Sequence, residues 1–126
     1  MNKRFMRFPE GKKKALTLSY DDCMEEDIDL IHRLEKYQMK ATFNLIPGWF
    51  AKEGTTYPEG ETYRLVTKKK AKEMYEHPFV EVANHGNEHK YMTSLTPLEM
   101  AEDTILCRKS LESLYGKIIR GMAYPY

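Results

Sequence analysis

Cysteine is scarce in this chain. Its two residues, Cys23 and Cys107, lie far apart and outside any paired-cysteine motif, which excludes a disulfide framework and a cysteine-built zinc site and suits a reduced compartment. Long apolar runs are missing too. The amino terminus opens Met1-Asn2-Lys3-Arg4-Phe5 and reaches Lys12-Lys13-Lys14 without one, so neither a signal peptide nor a membrane span is expected, and the expected location is cytoplasmic. Nor is there an excess of charge of one sign. Lys plus Arg total 20 against 19 Asp plus Glu, a formal +1, so no whole-protein field draws the chain to nucleic acid or acidic lipid. The basic clusters Lys12-Lys13-Lys14 and Lys68-Lys69-Lys70 read as solvated surface. There are no internal repeats or low-complexity segments, and 126 residues suit one domain with one core.

What is present is an alternation of strand and helix patterns. Ala15 to Tyr20 alternates small and larger apolar residues, the two-residue period of a strand, and Asp21-Asp22 ends it. From about Glu25 to Tyr37, Ile28, Ile31 and Leu34 recur every third position along a helix. Ala41 to Ile46 is a second strand, stopped by Pro47-Gly48. Trp49 to about Leu65 lacks periodicity and reads as a long loop, followed by a short helix from about Thr67 to Glu76 and a third strand from Phe79 to Asn84. Thr96-Pro97-Leu98-Glu99 combines an N-cap, a first-position proline and a capping-box glutamate; Met100, Cys107, Leu111 and Leu114 continue one helical face, and Gly116 suits the C-cap. Ile118 to Tyr124 is expected to form a fourth strand. The order implies an α/β fold with a four-stranded parallel sheet and right-handed crossovers. Four parallel strands leave two open edges, so residues 1–126 are expected to be the amino-terminal portion of a longer domain, and self-association as a homodimer is expected.

Asp21-Asp22 falls at the C-terminal end of the first strand and His85 at that of the third, the end where sites assemble in parallel folds. His85 and His89 are four apart, so one turn-like segment can aim both imidazoles at one point. Two imidazoles and one carboxylate form a divalent-metal site with positions left open for water and substrate. Neighbouring aspartates share a site only where the strand breaks up; one can then hold the metal while the other acts as a base on water. A zinc protease is a poor alternative, because Gly86 stands where its helix places a Glu.

These residues resemble the NodB-type polysaccharide deacetylases, the carbohydrate esterase family 4 enzymes. The family's Thr-Phe-Asp-Asp motif corresponds to Ser19-Tyr20-Asp21-Asp22, and its His-Ser/Thr-x-x-His motif to His85-Gly86-Asn87-Glu88-His89. Its third, near Arg-x-Pro-Tyr, corresponds to the segment from Arg120 to Tyr126. The resemblance implies a distorted β/α barrel, metal ligation by Asp22, His85 and His89, Asp21 as general base, and hydrolysis of an N- or O-acetyl group on a sugar. It implies Zn2+ as the metal, with Co2+, Ni2+, Mn2+ or Fe2+ as alternatives, and the backbone N–H of Tyr126 as an oxyanion donor. Three departures stand out. Gly86 replaces the Ser or Thr that braces the second motif, Ala123 stands where the family has Arg, with Arg120 three residues earlier, and the chain ends before the fourth and fifth motifs, the latter supplying a His general acid.

The expected function is therefore a metal-dependent carbohydrate deacetylase acting on an acetylated carbohydrate, with no nucleic-acid or membrane partner. The rival is a catalytically silent metal-binding fragment that acts through assembly with another chain; a plain interaction domain with a surface His pair is the third reading. His32 and His77 are the candidates for a substitute acid. Trp49, Phe50, Tyr57 and Tyr63 either stack on sugar rings or pack locally.

Overall fold

The computed structural model describes residues 8–126. The part of the amino-terminal reading that falls on residues 1–7 lies outside them. Among the described residues no helix is long and apolar enough to cross a membrane.

Three strands form one parallel sheet in the order β1-β2-β3: β1 (Ser19–Asp21), β2 (Ala41–Leu45) and β3 (Val80–Asn84). Phe43 of β2 sits between Tyr20 of β1 and Val82 of β3. β2 is the central strand and its residues are buried almost throughout, as a strand covered on both faces requires. Helices α1 (Asp27–Lys36), α2 (Lys68–Tyr75) and α3 (Pro97–Tyr115) complete the alternation.

Each helix begins for a reason visible in its sequence. Asp27 and Asp29 open α1 while Arg33 and Lys36 close it, so the side-chain charges oppose the helix dipole. Thr67 caps α2 by accepting the Lys70 N–H. Thr96 and Glu99 form the full reciprocal capping box on α3, which ends in left-handed Gly116; a cap of this kind contributes about 1 kcal/mol. The buried stripe of α3 runs Asp103, Cys107, Leu111 and Tyr115. Met100 and Leu114, expected on that stripe, lie at its half-buried margins.

The expected fourth strand does not form. Residues 118–124 touch the sheet at a single parallel bridge, Asn84 with Met122, through two hydrogen bonds: Asn84 N–H to the Gly121 carbonyl and Ala123 N–H to that of Asn84. The next rung of a parallel ladder needs an N–H from residue 125, which is proline. The Gly86 N–H that would join the same rung goes instead to the Asn84 side chain. The described residues therefore contain a three-stranded sheet, and a closed barrel is not formed by them.

The long segment between β2 and α2 is less free than its composition suggests. Val66 N–H donates to the Cys23 carbonyl and Glu25 N–H to that of Arg64, while Arg64 and Lys70 pair with Glu26 and Glu25. These bonds tie the segment to the turn that follows β1. Lys12 to Lys14, Lys68 and Lys69 are exposed, as expected; Lys70 is half-buried in its ion pair.

Candidate metal centre

At the end of β1 the chain turns at once. Asp22 and Cys23 both adopt left-handed backbone, with φ of 78° and 54°, a conformation that costs a side-chain-bearing residue roughly 1–2 kcal/mol. The turn is held by Cys23, wholly buried, whose thiol pKa is pushed up to about 12 chiefly by that burial. Its effect is to bring two neighbouring carboxylates to one side, which a regular strand cannot do.

Asp22 Oδ1 lies 3.5 Å from His89 Nε2 and 3.8 Å from His85 Nε2. The two Nε2 atoms are 3.2 Å apart. Donor atoms around a tetrahedral ion with bonds of ~2.0–2.1 Å stand about 3.3 Å from one another, so the three are spaced to share one cation. Asp22 Oδ1 is buried and has no hydrogen-bond partner among the described residues. A buried carboxylate oxygen left without a donor is destabilising, and a bound cation is the partner this geometry fits.

Of the two imidazoles, His85 has its far nitrogen held by a hydrogen bond, while His89 Nδ1 is buried without a partner among the described residues. His85, nearly fully buried, donates from Nδ1 to the Ala123 carbonyl at 3.0 Å; a carbonyl only accepts, so the proton sits on Nδ1 and Nε2 presents its lone pair. The 118–124 segment thus holds His85 in place even though it is not a strand. His89, itself at positive φ, packs its ring against Trp49 and Tyr126, each at 4.7 Å between centroids. Burial, aided by neighbouring His85 and opposed by Asp22 and Asp21, holds its pKa below the usual histidine value, which favours the neutral form that metals bind.

Asp21 stands beside this trio. Its Oδ1 accepts from Asn44 Nδ2 at 2.7 Å, and its Oδ2 is 3.9 Å from His85 Nε2. Asn44, 1% exposed on β2, was not singled out in the sequence; a polar residue inside an otherwise apolar strand is the signal that could have found it. Asn44 is thus the side-chain donor to Asp21, and Arg120 is exposed.

The other candidates divide. Tyr126 stacks on Tyr91 at 3.8 Å and flanks His89, so the end of the chain reaches the site. His32 is exposed on α1, and His77 lies near Glu35 just before β3, at the end of the sheet opposite Asp21. Trp49 and Phe50 pack against the core, and the Tyr57 hydroxyl donates to the Leu65 carbonyl, which leaves Tyr63 as the exposed loop aromatic. A hollow of about 630 Å³ is lined by Tyr91, Met92, Leu95, Tyr124 and Tyr126, and of these Tyr126 flanks His89.

Comparison with known proteins adds an independent line. The family model described as polysaccharide deacetylase matches residues 8–126. Among solved structures, a polysaccharide deacetylase from Bacillus cereus is 22% identical with a TM-score of 0.71, over 91% of this chain and 34% of its own. The deacetylase PplD from Streptococcus pyogenes, in complex with acetate, is 25% identical with a TM-score of 0.71, over 90% of this chain and 46% of its own. IcaB from Ammonifex degensii is 22% identical with a TM-score of 0.69, over 98% and 59%. The chain thus spans less than two thirds of the length of these structures. No curated protein matches it.

Proposed function

The chain belongs to the polysaccharide deacetylase family, and from that premise we propose that it carries the metal-binding and base-bearing part of a hydrolase that removes N- or O-acetyl groups from a carbohydrate. The observation that carries the proposal is the buried, unpartnered Asp22 Oδ1 facing the Nε2 atoms of His85 and His89. Asp22, His85 and His89 are the residues that would hold a divalent ion, with zinc favoured by the two-imidazole, one-carboxylate donor set. Such an ion supplies Lewis acidity toward the acetyl carbonyl and acidifies water at neutral pH.

The remaining chemistry belongs to the chain. Asp21, anchored on one oxygen by Asn44, has the other free to take a proton from the attacking water, and its half-exposed side chain can hand that proton on to solvent. Asn44 keeps this carboxylate pointed at the site. The backbone N–H of Tyr126 is the proposed donor to the oxyanion that develops on the acetyl carbonyl. Tyr124, exposed beside the stacked Tyr91–Tyr126 pair, offers a ring face in the adjoining hollow that suits the apolar face of a sugar.

A second reading, a metal-binding chain that is silent by itself, is favoured by one observation: His77 lies just before β3, at the end of the sheet opposite Asp21, so it is not available there to protonate the leaving group. One experiment separates the readings. Elemental analysis of the purified chain is expected to find about one equivalent of divalent metal, lost in His85→Ala and His89→Ala, and acetate release from acetylated sugar oligomers is measured on the same samples. Metal with acetate release supports the hydrolase; metal without it supports the silent chain. Equal metal in wild type and both variants refutes the ligand set.

A further inference from the structure

The loop that carries both imidazoles has little means of holding its own shape. Between His85 and His89 stand Gly86, which has no side chain, Asn87, half-buried, and Glu88, exposed. Its conformation is imposed from outside: Gly48 donates its N–H to the Asn87 carbonyl on one side, and α3 supplies the side-chain acceptors on the other. Asp103, 7% exposed on the buried stripe of that helix, accepts the Asn87 N–H on Oδ2 at 2.9 Å and the Glu88 N–H on Oδ1 at 3.1 Å. Both donors lie in sequence between the two histidines. A carboxylate that receives two backbone N–H groups makes charge-assisted bonds, stronger than neutral ones.

Gly86 belongs to the same device. Its backbone is left-handed, with φ of 75°, and a Cβ built there would stand 2.7 Å from Asp103 Oδ2. The space a side chain would need is the space the carboxylate occupies. The Gly86 N–H donates to Asn84 Oδ1 at 2.8 Å, and Asn84 Nδ2 donates to the Thr104 carbonyl at 2.8 Å, so a second bridge from α3 meets the loop at its start. This accounts for glycine where a hydroxyl-bearing residue was expected: here the brace comes from residue 103.

We infer that Asp103 is the positioning residue of the metal site, holding the loop through the N–H groups of Asn87 and Glu88 in the conformation that brings His85 and His89 together. The inference rests on the metal-site reading given above. It assigns Asp103 no contact with metal or substrate; it acts by fixing where His89 stands relative to His85.

The test is the affinity for zinc alone, measured by competition with a chromophoric chelator, on the full chain and on Asp103→Asn, Asp103→Ala and Leu111→Ala. Leu111 is wholly buried on the same helix face, within the apolar core, and makes no hydrogen bond from its side chain. Asn keeps one acceptor oxygen and Ala keeps none, so affinity should fall about 10-fold for Asp103→Asn and about 100-fold for Asp103→Ala, the range seen when a ligand's supporting partner is removed. Leu111→Ala should lower the unfolding temperature of the metal-free chain while changing zinc affinity less than about 3-fold at a temperature where it is folded. Asp103→Asn with wild-type affinity overturns the inference. So does a loss of affinity in the Asp103 variants that only tracks their loss of metal-free fold, as Leu111→Ala calibrates it. Absence of zinc binding by the wild type refutes the metal-site reading itself, a separate outcome.

Discussion

Gly48→Ala isolates the other side of the ligand loop. Gly48 donates its N–H to the Asn87 carbonyl at 3.0 Å, and a Cβ at this position would lie 2.2 Å from that same oxygen and 3.1 Å from Asn87 Nδ2. A carbon and a carbonyl oxygen are comfortable from about 3.3 Å, so backbone must retreat by about 1 Å on one side or the other. Forced repacking of this kind costs about 1–3 kcal/mol, and the hydrogen bond lost with it about 0.5–1.5. Together the expected destabilisation is about 2–4 kcal/mol, which for a domain of this size lowers the melting temperature by roughly 10 °C. The cost is steric, because glycine's left-handed freedom is not used at Gly48. Asn87 stands midway between His85 and His89, so the displaced loop should also bind zinc at least ~10-fold more weakly. Thermal unfolding of the metal-free chain, followed by circular dichroism, reads the first effect and chelator competition the second. A variant within about 2 °C of wild type, with unchanged zinc affinity, would refute the close approach of the two backbones and with it the clamp on the loop.

Three further outcomes are expected. Asp21→Asn should retain metal yet lose acetate release, whereas Asp22→Asn should bind metal more weakly; identical metal loss in both would end the division of roles. Burial raises the pKa of Asp27 above the usual carboxylate value, against the hydrogen bonds from Tyr75 and Met24 that lower it. The folded state then holds more protons than the unfolded one between the usual value and the raised one, so this group penalises the fold at neutral pH and the penalty is relieved on acidification through that window. In urea titrations Asp27→Asn should therefore lose its stability relative to wild type as the pH falls through it, and a relative gain would contradict this sign. Light scattering should show self-association at micromolar concentration, because Leu98, Ile105, Ile118, Met122 and Tyr124 are all exposed; a monomer there would refute the expectation of a homodimer.

The sequence alone determined what depends on neighbours along the chain. The capping box of Thr96 and Glu99, the stop at Gly116, the strand through Ala41–Leu45 and the apolar stripe of Ile31 and Leu34 are all consequences of local period and local bonding. So is the placement of Asp22, His85 and His89 at one edge, because parallel crossovers return every strand in the same direction. The length of β1 and the absence of a fourth strand were not legible. They depend on whether partner groups remain free, and the rung after Met122 is closed by Pro125 and by the competing Asn84 side chain. Asn44 on Asp21, Asp103 on the ligand loop and Gly48 against Asn87 also escaped the sequence. Each acts across a gap of many residues on a backbone group or a single oxygen, and such a bond leaves no periodic trace in either segment. The chemistry was written in residue types; only the tertiary structure decided what holds those residues in position.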